Sequence, residues 1–368
     1  MRTKKSFDFW IFMTVLILIS LGIIMVFSSS YASAYSRYND AYFFLKNQLK
    51  FAILGFVAMF VTINIDYRKY AKWTFLMLIV SIVLLIMVKI PGIGRQEKGA
   101  WRWIYLGPIN FQPSEIAKLS LILFFSQSLS RRKDTLQYFF RGLMPYLILM
   151  GIFAALLLWE PHLSCTMIIL IVCSILLFSA GAKVKHFLII ATPAIAGLVA
   201  LVLFVPYMRA RVLSFLNPFE DPSGDGYQAI QSLYAIGSGG LFGRGLGKSL
   251  QKFLYLPEPQ NDFIFSVLAE ELGFIGVVAV ILLFLIFIWR GIKVAMYAPD
   301  AFGSFTALGI TSLISVQVIL NIAVVTSSMP PTGVSLPFFS AGGTSLVILM
   351  TSVGILLNIS KYANYERM

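Results

Sequence analysis

Long uninterrupted runs of apolar residues divide this chain, and they predict transmembrane helices. A bilayer span needs about 20 apolar residues, and a helix satisfies its backbone hydrogen bonds within lipid. Ten runs meet this requirement: 9–28, 47–65, 71–90, 113–130, 142–159, 164–182, 187–205, 263–289, 304–325 and 342–360. The runs are too long for the alternating strands of a barrel. The sequence therefore predicts an all-α polytopic integral membrane protein with about ten transmembrane helices.

Composition agrees with this fold class. Hydrophobic residues make up 58% of the 368 positions and charged residues only 12%, and a soluble protein with so few charges would expose large apolar patches. The 32 Phe, 16 Tyr and 6 Trp residues exclude a disordered chain. The net charge of +13 does not indicate nucleic-acid binding, because the cations lie between the apolar runs and do not form one continuous basic stripe.

The distribution of Lys and Arg predicts the orientation in the membrane. An even number of spans places both termini on one side, and more than half of the 29 cations then fall on that side, which predicts the cytoplasm. The first apolar run is longer than the core of a signal peptide, so we expect an uncleaved anchor. The prediction is one membrane domain, 1–368, with cytoplasmic tails 1–8 and 361–368 and a large extracellular loop, 206–262, between helices 7 and 8.

No metal centre or disulfide is predicted. Cys165 and Cys173 lie on one apolar run, and His162 and His186 are isolated. Neither pattern has the spacing of metal ligands.

The first polar cluster surrounds the start of the fourth span. Arg102 lies between two Trp residues, and Pro113 can open a helix at its first turn. Glu115 and Lys118 are three residues apart, so they share a helix face and can pair. Ionisable residues inside a span are costly and face a cavity or each other. A structural ion pair and a substrate contact are both consistent with this pattern.

A short turn and a long loop add further polar groups. Glu160 and His162 occupy the turn after the fifth span, where Glu160 either marks the end of the span or serves a site. The loop 206–262 begins with Arg209 and Arg211, then shows the helical spacing of an amphipathic helix near 227–234, which we expect to lie on the membrane. Six glycines follow within 237–247. Backbone N–H groups of such a segment can bind phosphate.

Asp262 is the last polar residue before the eighth span, and Glu258 lies four residues earlier. An acid at the mouth of a span can be partly desolvated, which makes it a better base. The same position also suits the N-cap of the eighth helix, so both readings stay open. Glu270 lies further into that helix and should face a polar interior. The uncharged segment 326–345 is rich in Pro, Gly and Ser, and irregular backbone at membrane depth must lie inside protein or along a cavity.

These features describe a helical membrane protein with an outward-facing polar cavity, cations for phosphate and an acid at the rim. Such a cavity suits an anionic, lipid-attached substrate. An enzyme acting on a lipid-linked phosphate and a transporter fit these observations about equally.

Five motifs in order resemble the SEDS family (shape, elongation, division and sporulation proteins) over nearly the whole chain. They are RWIYLGPINFQPSEIAKL at 102–119, EPHLS at 160–164, NPFEDPSGDGYQAIQSLYAIGSGGLFGRGLG at 217–247, YLPEPQNDFIFSVLAEELG at 255–273 and PPTGVSLPFFSAGGTS at 330–345. The short termini resemble those of the sporulation branch more than the usually longer termini of the division branch. Three positions depart from the family pattern: His162 replaces a common Asp, Ser327 replaces Gly, and Ala341 replaces an aromatic residue.

The resemblance implies a peptidoglycan glycosyltransferase that polymerises lipid II outside the membrane, with a class B penicillin-binding protein as partner. It places the family's essential loop acid at Asp262 and its conserved ionisable pair of the fourth span at Glu115 and Lys118. The hypothesis is that Asp262 acts as general base. The substrate-binding candidates are Glu115, Lys118, Arg102, Arg209, Arg211 and Glu258. No cofactor is required by this reading, and assistance by a divalent cation stays open. The alternatives are a lipid II flippase, which needs access from both faces, and a scaffold that only recruits a transpeptidase.

Overall fold

The computed structural model describes residues 6–365 apart from 98–99, 107–108, 188–196, 198, 201–202, 205–208, 210–214, 221, 223, 225 and 254. Its helices are α1 Phe9–Tyr38, α2 Phe43–Asn64, α3 Thr74–Met87, α4 Pro113–Arg132, α5 Met144–Trp159, α6 Leu163–Ser179, α7 Tyr227–Ser238, α8 Ile264–Tyr297, α9 Ala301–Val325 and α10 Gly343–Ser360. A 3₁₀ turn, Tyr67–Lys72, precedes α3, and a π turn, Phe139–Leu143, precedes α5.

Nine of the ten predicted spans coincide with helices, which confirms the fold class. Most of the predicted span 187–205 lies outside the described residues. Among the described residues, α1, α2, α5 with its π turn, α8, α9 and α10 are long and apolar enough to cross a bilayer, while α3 and α6 are shorter apolar helices. Helix α4 carries Glu115 and Lys118 in its first half and two arginines in its last turn, which lower its mean hydropathy.

A small antiparallel sheet precedes α4, and the sequence reasoning did not foresee it. Its strands are β1 Gly94–Glu97, β2 Ala100–Leu106 and β3 Ile109–Phe111, in the order β1-β2-β3. In β2, Ile104 is fully buried, and it pairs with both Gly94 and Phe111. Arg102 is a residue of β2 and is held in place by the sheet.

Helices α9 and α10 form the centre of the bundle, and α2, α4, α6 and α8 pack against them. Small residues allow the closest approaches. At Gly354 of α10, a Cβ atom would come within 2.0 Å of Thr62 Oγ1 on α2. Since lipid removes the hydrophobic drive for helix association, such close backbone packing stabilises the bundle.

The predicted amphipathic helix of the long loop is confirmed as α7, but the protein covers its inner face. Ala229, Ile230 and Ala235 are buried there. The buried Ser232 hydroxyl donates to Val325 O at 2.6 Å and lies 2.7 Å from Ser266 Oγ on α8. The expectation of a helix lying on the membrane is therefore corrected, because its small and polar residues pack against α8 and α9.

Helix α8 is broken at Gly273, whose φ of 66° and ψ of −169° are inaccessible to a side chain without strain. The glycine segment 239–249 docks on this break. Arg244 N donates to Glu270 O at 2.9 Å, and Phe274 N donates to Gly240 O at 2.9 Å. The loop thereby replaces helix hydrogen bonds that the kink removes.

Candidate functional site

A polar cavity of about 270 Å³ lies at the predicted outer end of the bundle. Its walls come from β2, the first half of α4, the start of α6, the turn before α8, and the segment 333–342 that precedes α10. Four of the predicted catalytic and substrate-binding residues line it: Arg102, Glu115, Lys118 and Asp262. The fold thus gathers charged side chains that are far apart along the chain.

Asp262 occupies the turn that leads into α8 and is half-buried. The helix begins at Ile264 with Phe263 at the N-cap, so Asp262 lies one residue before the cap. Its carboxylate Oδ2 is close to Gly333, where a Cβ atom would stand 3.3 Å from that oxygen. The position suits an acid that meets a ligand in the cavity.

The backbone of Asp262 is held by a buried amide on α9. Asn321 Nδ2 donates to Asp262 O at 2.9 Å and to Val334 O at 2.7 Å. One fully buried side chain therefore joins α9, the turn before α8 and the irregular segment that closes the cavity. This residue was absent from the predicted site, although a lone Asn within an apolar run is a recognisable signal.

Glu115 and Lys118 form an ion pair, with Nζ 2.8 Å from Oε1. Both side chains are buried, with 8% and 4% of their surface exposed. They lie one turn apart because Pro113 opens α4 at this point and sets the helix face. The pair both bridges residues of one helix and lines the cavity, so its geometry accommodates a structural role and contact with a ligand.

Arg102 reaches from β2 to the turn between α5 and α6. Its guanidinium donates to the carbonyl oxygens of Pro161 and, at 3.5 Å from Nε, Glu160. These contacts hold the guanidinium at the rim of the cavity, which Arg102 lines.

The same turn carries two titratable groups, Glu160 and His162. Glu160 is fully buried, and neither carboxylate oxygen has a hydrogen-bond partner among the described residues. Burial raises the pKa of Glu160 to about 8, although Lys89 and Arg102 oppose that shift. Burial, together with the positive charges of Arg102 and Lys118, lowers the pKa of His162 to about 3. His162 lines the cavity. Its lowered pKa keeps the imidazole neutral at physiological pH.

The structure does not bring every candidate into the cavity. Glu258 pairs with Arg37 at 3.2 Å and accepts from Asn261 Nδ2 at 2.9 Å, so it braces the turn that carries Asp262. Arg209 is exposed, and it is not among the residues that line the cavity. Arg211 lies outside the described residues.

The glycine segment does not offer the phosphate cradle that its composition suggested. The N–H groups of Gly243, Arg244 and Gly245 donate to backbone carbonyls within 2.8–3.0 Å. Of the nearby cations, Lys252 is buried in an ion pair with Glu271 at 2.9 Å. The segment therefore supports α8.

Within the described residues, no group of three or more His, Cys, Asp or Glu side chains is placed to hold a metal ion. The described acids that line the cavity are Glu115, which pairs with Lys118, and Asp262. This set of donors does not fit a metal site.

The fold and the cavity define a polytopic membrane protein with one acid-lined site at its predicted outer face. Comparison with known proteins identifies its family. The family model for FtsW, RodA and SpoVE, described as cell cycle protein, matches residues 9–365. The chain belongs to this family.

Individual relatives are similar over their full length. Stage V sporulation protein E of Bacillus subtilis (strain 168) is 46% identical over 366 residues, which cover 99% of this chain and 100% of that protein. A probable peptidoglycan glycosyltransferase FtsW of Geobacter sp. (strain M18) is 44% identical, with 98% of each chain covered.

Solved structures show the same architecture. A chain of a peptidoglycan synthase complex that coordinates polymerization and crosslinking superposes with a TM-score of 0.81 at 28% identity, covering 98% of this chain and 99% of that chain. Thermus thermophilus RodA, a rod shape determining protein, superposes with a TM-score of 0.71 at 27% identity, with the same coverage.

Proposed function

We propose that this chain is a peptidoglycan glycosyltransferase that polymerises lipid II on the outer face of the cytoplasmic membrane. One observation carries the proposal: Asp262, Glu115, Lys118 and Arg102 line a single cavity in a fold whose relatives include probable peptidoglycan glycosyltransferases. An acid beside cations at the membrane surface suits a sugar donor with a pyrophosphate leaving group.

Asp262 acts as the general base. It removes the proton from the 4-hydroxyl of the acceptor sugar, whose oxygen forms a bond to C1 of the donor. The bond from C1 to the undecaprenyl pyrophosphate oxygen breaks, and the configuration at C1 inverts. General-base assistance of this kind contributes roughly 10²–10⁴-fold in rate.

The leaving pyrophosphate gathers negative charge, which positive groups stabilise. Arg102 and Lys118 are the candidates for this role, because both line the cavity beside Asp262. Glu258 is a positioning residue that holds the turn before Asp262. The roles of Arg209 and Arg211 as phosphate ligands rest on the sequence alone.

The test is polymerisation of labelled lipid II by the full chain, purified with a class B penicillin-binding protein. Asp262→Asn should abolish the glycan ladder, while the matched control Asp40→Asn should keep it, since Asp40 pairs with Lys46 away from the cavity. Wild-type ladders from a folded Asp262→Asn variant would falsify the general-base assignment.

The partner and the location follow from the same proposal. A class B penicillin-binding protein supplies the crosslinking activity, as in the structurally similar synthase complex that coordinates the two reactions. Both termini are cytoplasmic, and the protein works at the division septum or the forespore membrane.

Transport of lipid II is the alternative. A flippase needs ionisable groups that can exchange partners between two access states. Glu270 is a candidate for such a group, because its side chain is fully buried. It accepts hydrogen bonds from Ser249 Oγ and from Leu250 N at 2.8 Å. These contacts dock the loop on α8, so the geometry favours the enzyme.

A further inference from the structure

A second recess lies at the opposite end of the bundle from the polar cavity. It is a groove of about 680 Å³ between α3, α4 and α5, near the C-terminal end of α4. Its walls are apolar, and Phe75 and Ile148 keep 63% and 56% of their surface exposed. Its rim is basic, with Lys72, Arg131 and Arg132.

The rim cations are available to a ligand. All three are exposed, and none takes part in an ion pair between described residues. In the amide orientation that satisfies its hydrogen bonds, the Gln127 oxygen accepts from Nε and Nη2 of Arg131, both at 2.9 Å. This contact is neutral, so it orients the guanidinium at the groove without cancelling its charge.

We propose that this groove binds one anionic phospholipid. The phosphate contacts Arg131, Arg132 and Lys72, and an acyl chain lies against Phe75 and Ile148. Basic pockets between transmembrane helices on the cytoplasmic side recognise anionic head groups. Among the described residues no acid lines the groove, so no described carboxylate compensates the positive group of a zwitterionic lipid. The inference is independent of the proposed polymerase activity, because it concerns the other end of the molecule.

The experiment titrates the full-length protein in detergent with phosphatidylglycerol, and separately with phosphatidylcholine of the same acyl chains. Native mass spectrometry counts the bound lipid. We expect one phosphatidylglycerol to bind more tightly than any phosphatidylcholine. The double variant Arg131→Gln/Arg132→Gln should weaken that binding about tenfold or more, because each cation near a lipid head group contributes about fivefold.

The matched control is Lys183→Gln/Lys185→Gln, which removes two exposed cations outside the groove. It should bind phosphatidylglycerol as the wild type does. Ile148→Trp keeps every rim cation and fills the groove, so it should also weaken binding. Soluble glycerol phosphate at millimolar concentration should not displace the lipid.

Three results would overturn the inference. They are equal binding of the two lipids, an equal loss in the control and in the arginine variant, and unchanged binding in Ile148→Trp. Melting temperatures of the variants show that each is folded, and the filling variant tests the site even if the arginine variant does not fold.

Discussion

At the scale of single residues, the buried pair of Glu115 and Lys118 permits a separation of structure from function. Lys118→Met alone leaves an uncompensated buried carboxylate, which should lower stability by about 3–5 kcal/mol. The double variant Glu115→Gln/Lys118→Met removes both charges and should melt close to the wild type. If the pair also contacts substrate, the double variant should still form glycan ladders poorly.

Melting temperatures and lipid II polymerisation, measured on the same preparations, check this prediction. Recovery of both stability and ladders in the double variant would mean that the pair serves only the fold. Recovery of stability alone supports contact with the substrate.

Glu160 predicts a pH dependence of stability. Its pKa is raised by burial to about 8 in the folded protein, against an ordinary value of 4.5. The folded state therefore keeps a proton that the unfolded state releases, so stability falls as pH rises from about 4.5 to about 8. Glu160→Gln should therefore be more stable than the wild type. The difference in free energy of unfolding should grow between pH 5 and pH 8.5 to on the order of a few kcal/mol.

Thermal melts at several pH values measure this margin. Glu220→Gln, at an exposed position, is the control and should follow the wild-type profile. A margin that stays constant with pH would show that Glu160 is ionised in the folded protein.

The charged residues of the site could be predicted from the sequence because lipid penalises them. Glu115, Lys118 and Asp262 lie in or beside apolar runs, so their presence needed a reason. Two of the placements could not be predicted. Glu258 braces a turn through Arg37, and Asn321 ties that turn to the segment before α10. Both depend on contacts between residues far apart in the chain.

At the scale of elements, spans were predictable and the sheet was missed for one physical reason. The composition of about 20 consecutive residues marks a span, whereas only seven residues, Ala100–Leu106, carry the signal for β2. Its aromatic residues alternate with Arg102 and Ile104, which is the period of a strand. Beside a membrane, the same aromatic residues also suit the membrane–water interface. The pattern alone therefore does not distinguish a strand from an irregular interfacial segment.

The kink of α8 gives a prediction at this scale. A Cβ atom at Gly273 would come within 2.2 Å of Gly243 N, and the backbone there also lies in a region that only glycine adopts readily. Gly273→Ala should undock the glycine loop and lower stability by about 3 kcal/mol or more. Asp262 lies at the start of the same helix, so polymerisation should fall as well.

Limited proteolysis within 239–249, together with thermal melts, measures the undocking. Gly151→Ala is the control, because nothing lies within 4 Å of a Cβ atom at that position of α5. A Gly273→Ala variant with wild-type stability and protease resistance would show that the loop does not depend on the kink.

At the scale of the whole molecule, the two ends of the described chain meet. Ser360 Oγ accepts from Asp8 N at 2.9 Å, and Tyr365 Oη donates to Asp8 Oδ2 at 3.2 Å. The same carboxylate pairs with Arg290 near the end of α8. These contacts place both ends at one end of the bundle, opposite the polar cavity, and the side of the membrane follows from the charge distribution.

Two exposed lysines test that orientation, and with it the proposed reaction. Lys248 lies in the predicted outer loop and Lys183 in a predicted inner turn, while the native Cys165 and Cys173 are buried and should not react. A membrane-impermeant maleimide should label Lys248→Cys in intact cells and Lys183→Cys only after permeabilisation. The opposite pattern would place the Asp262 cavity in the cytoplasm. Polymerisation outside the membrane would then be impossible for this fold, whatever the chemistry of its site.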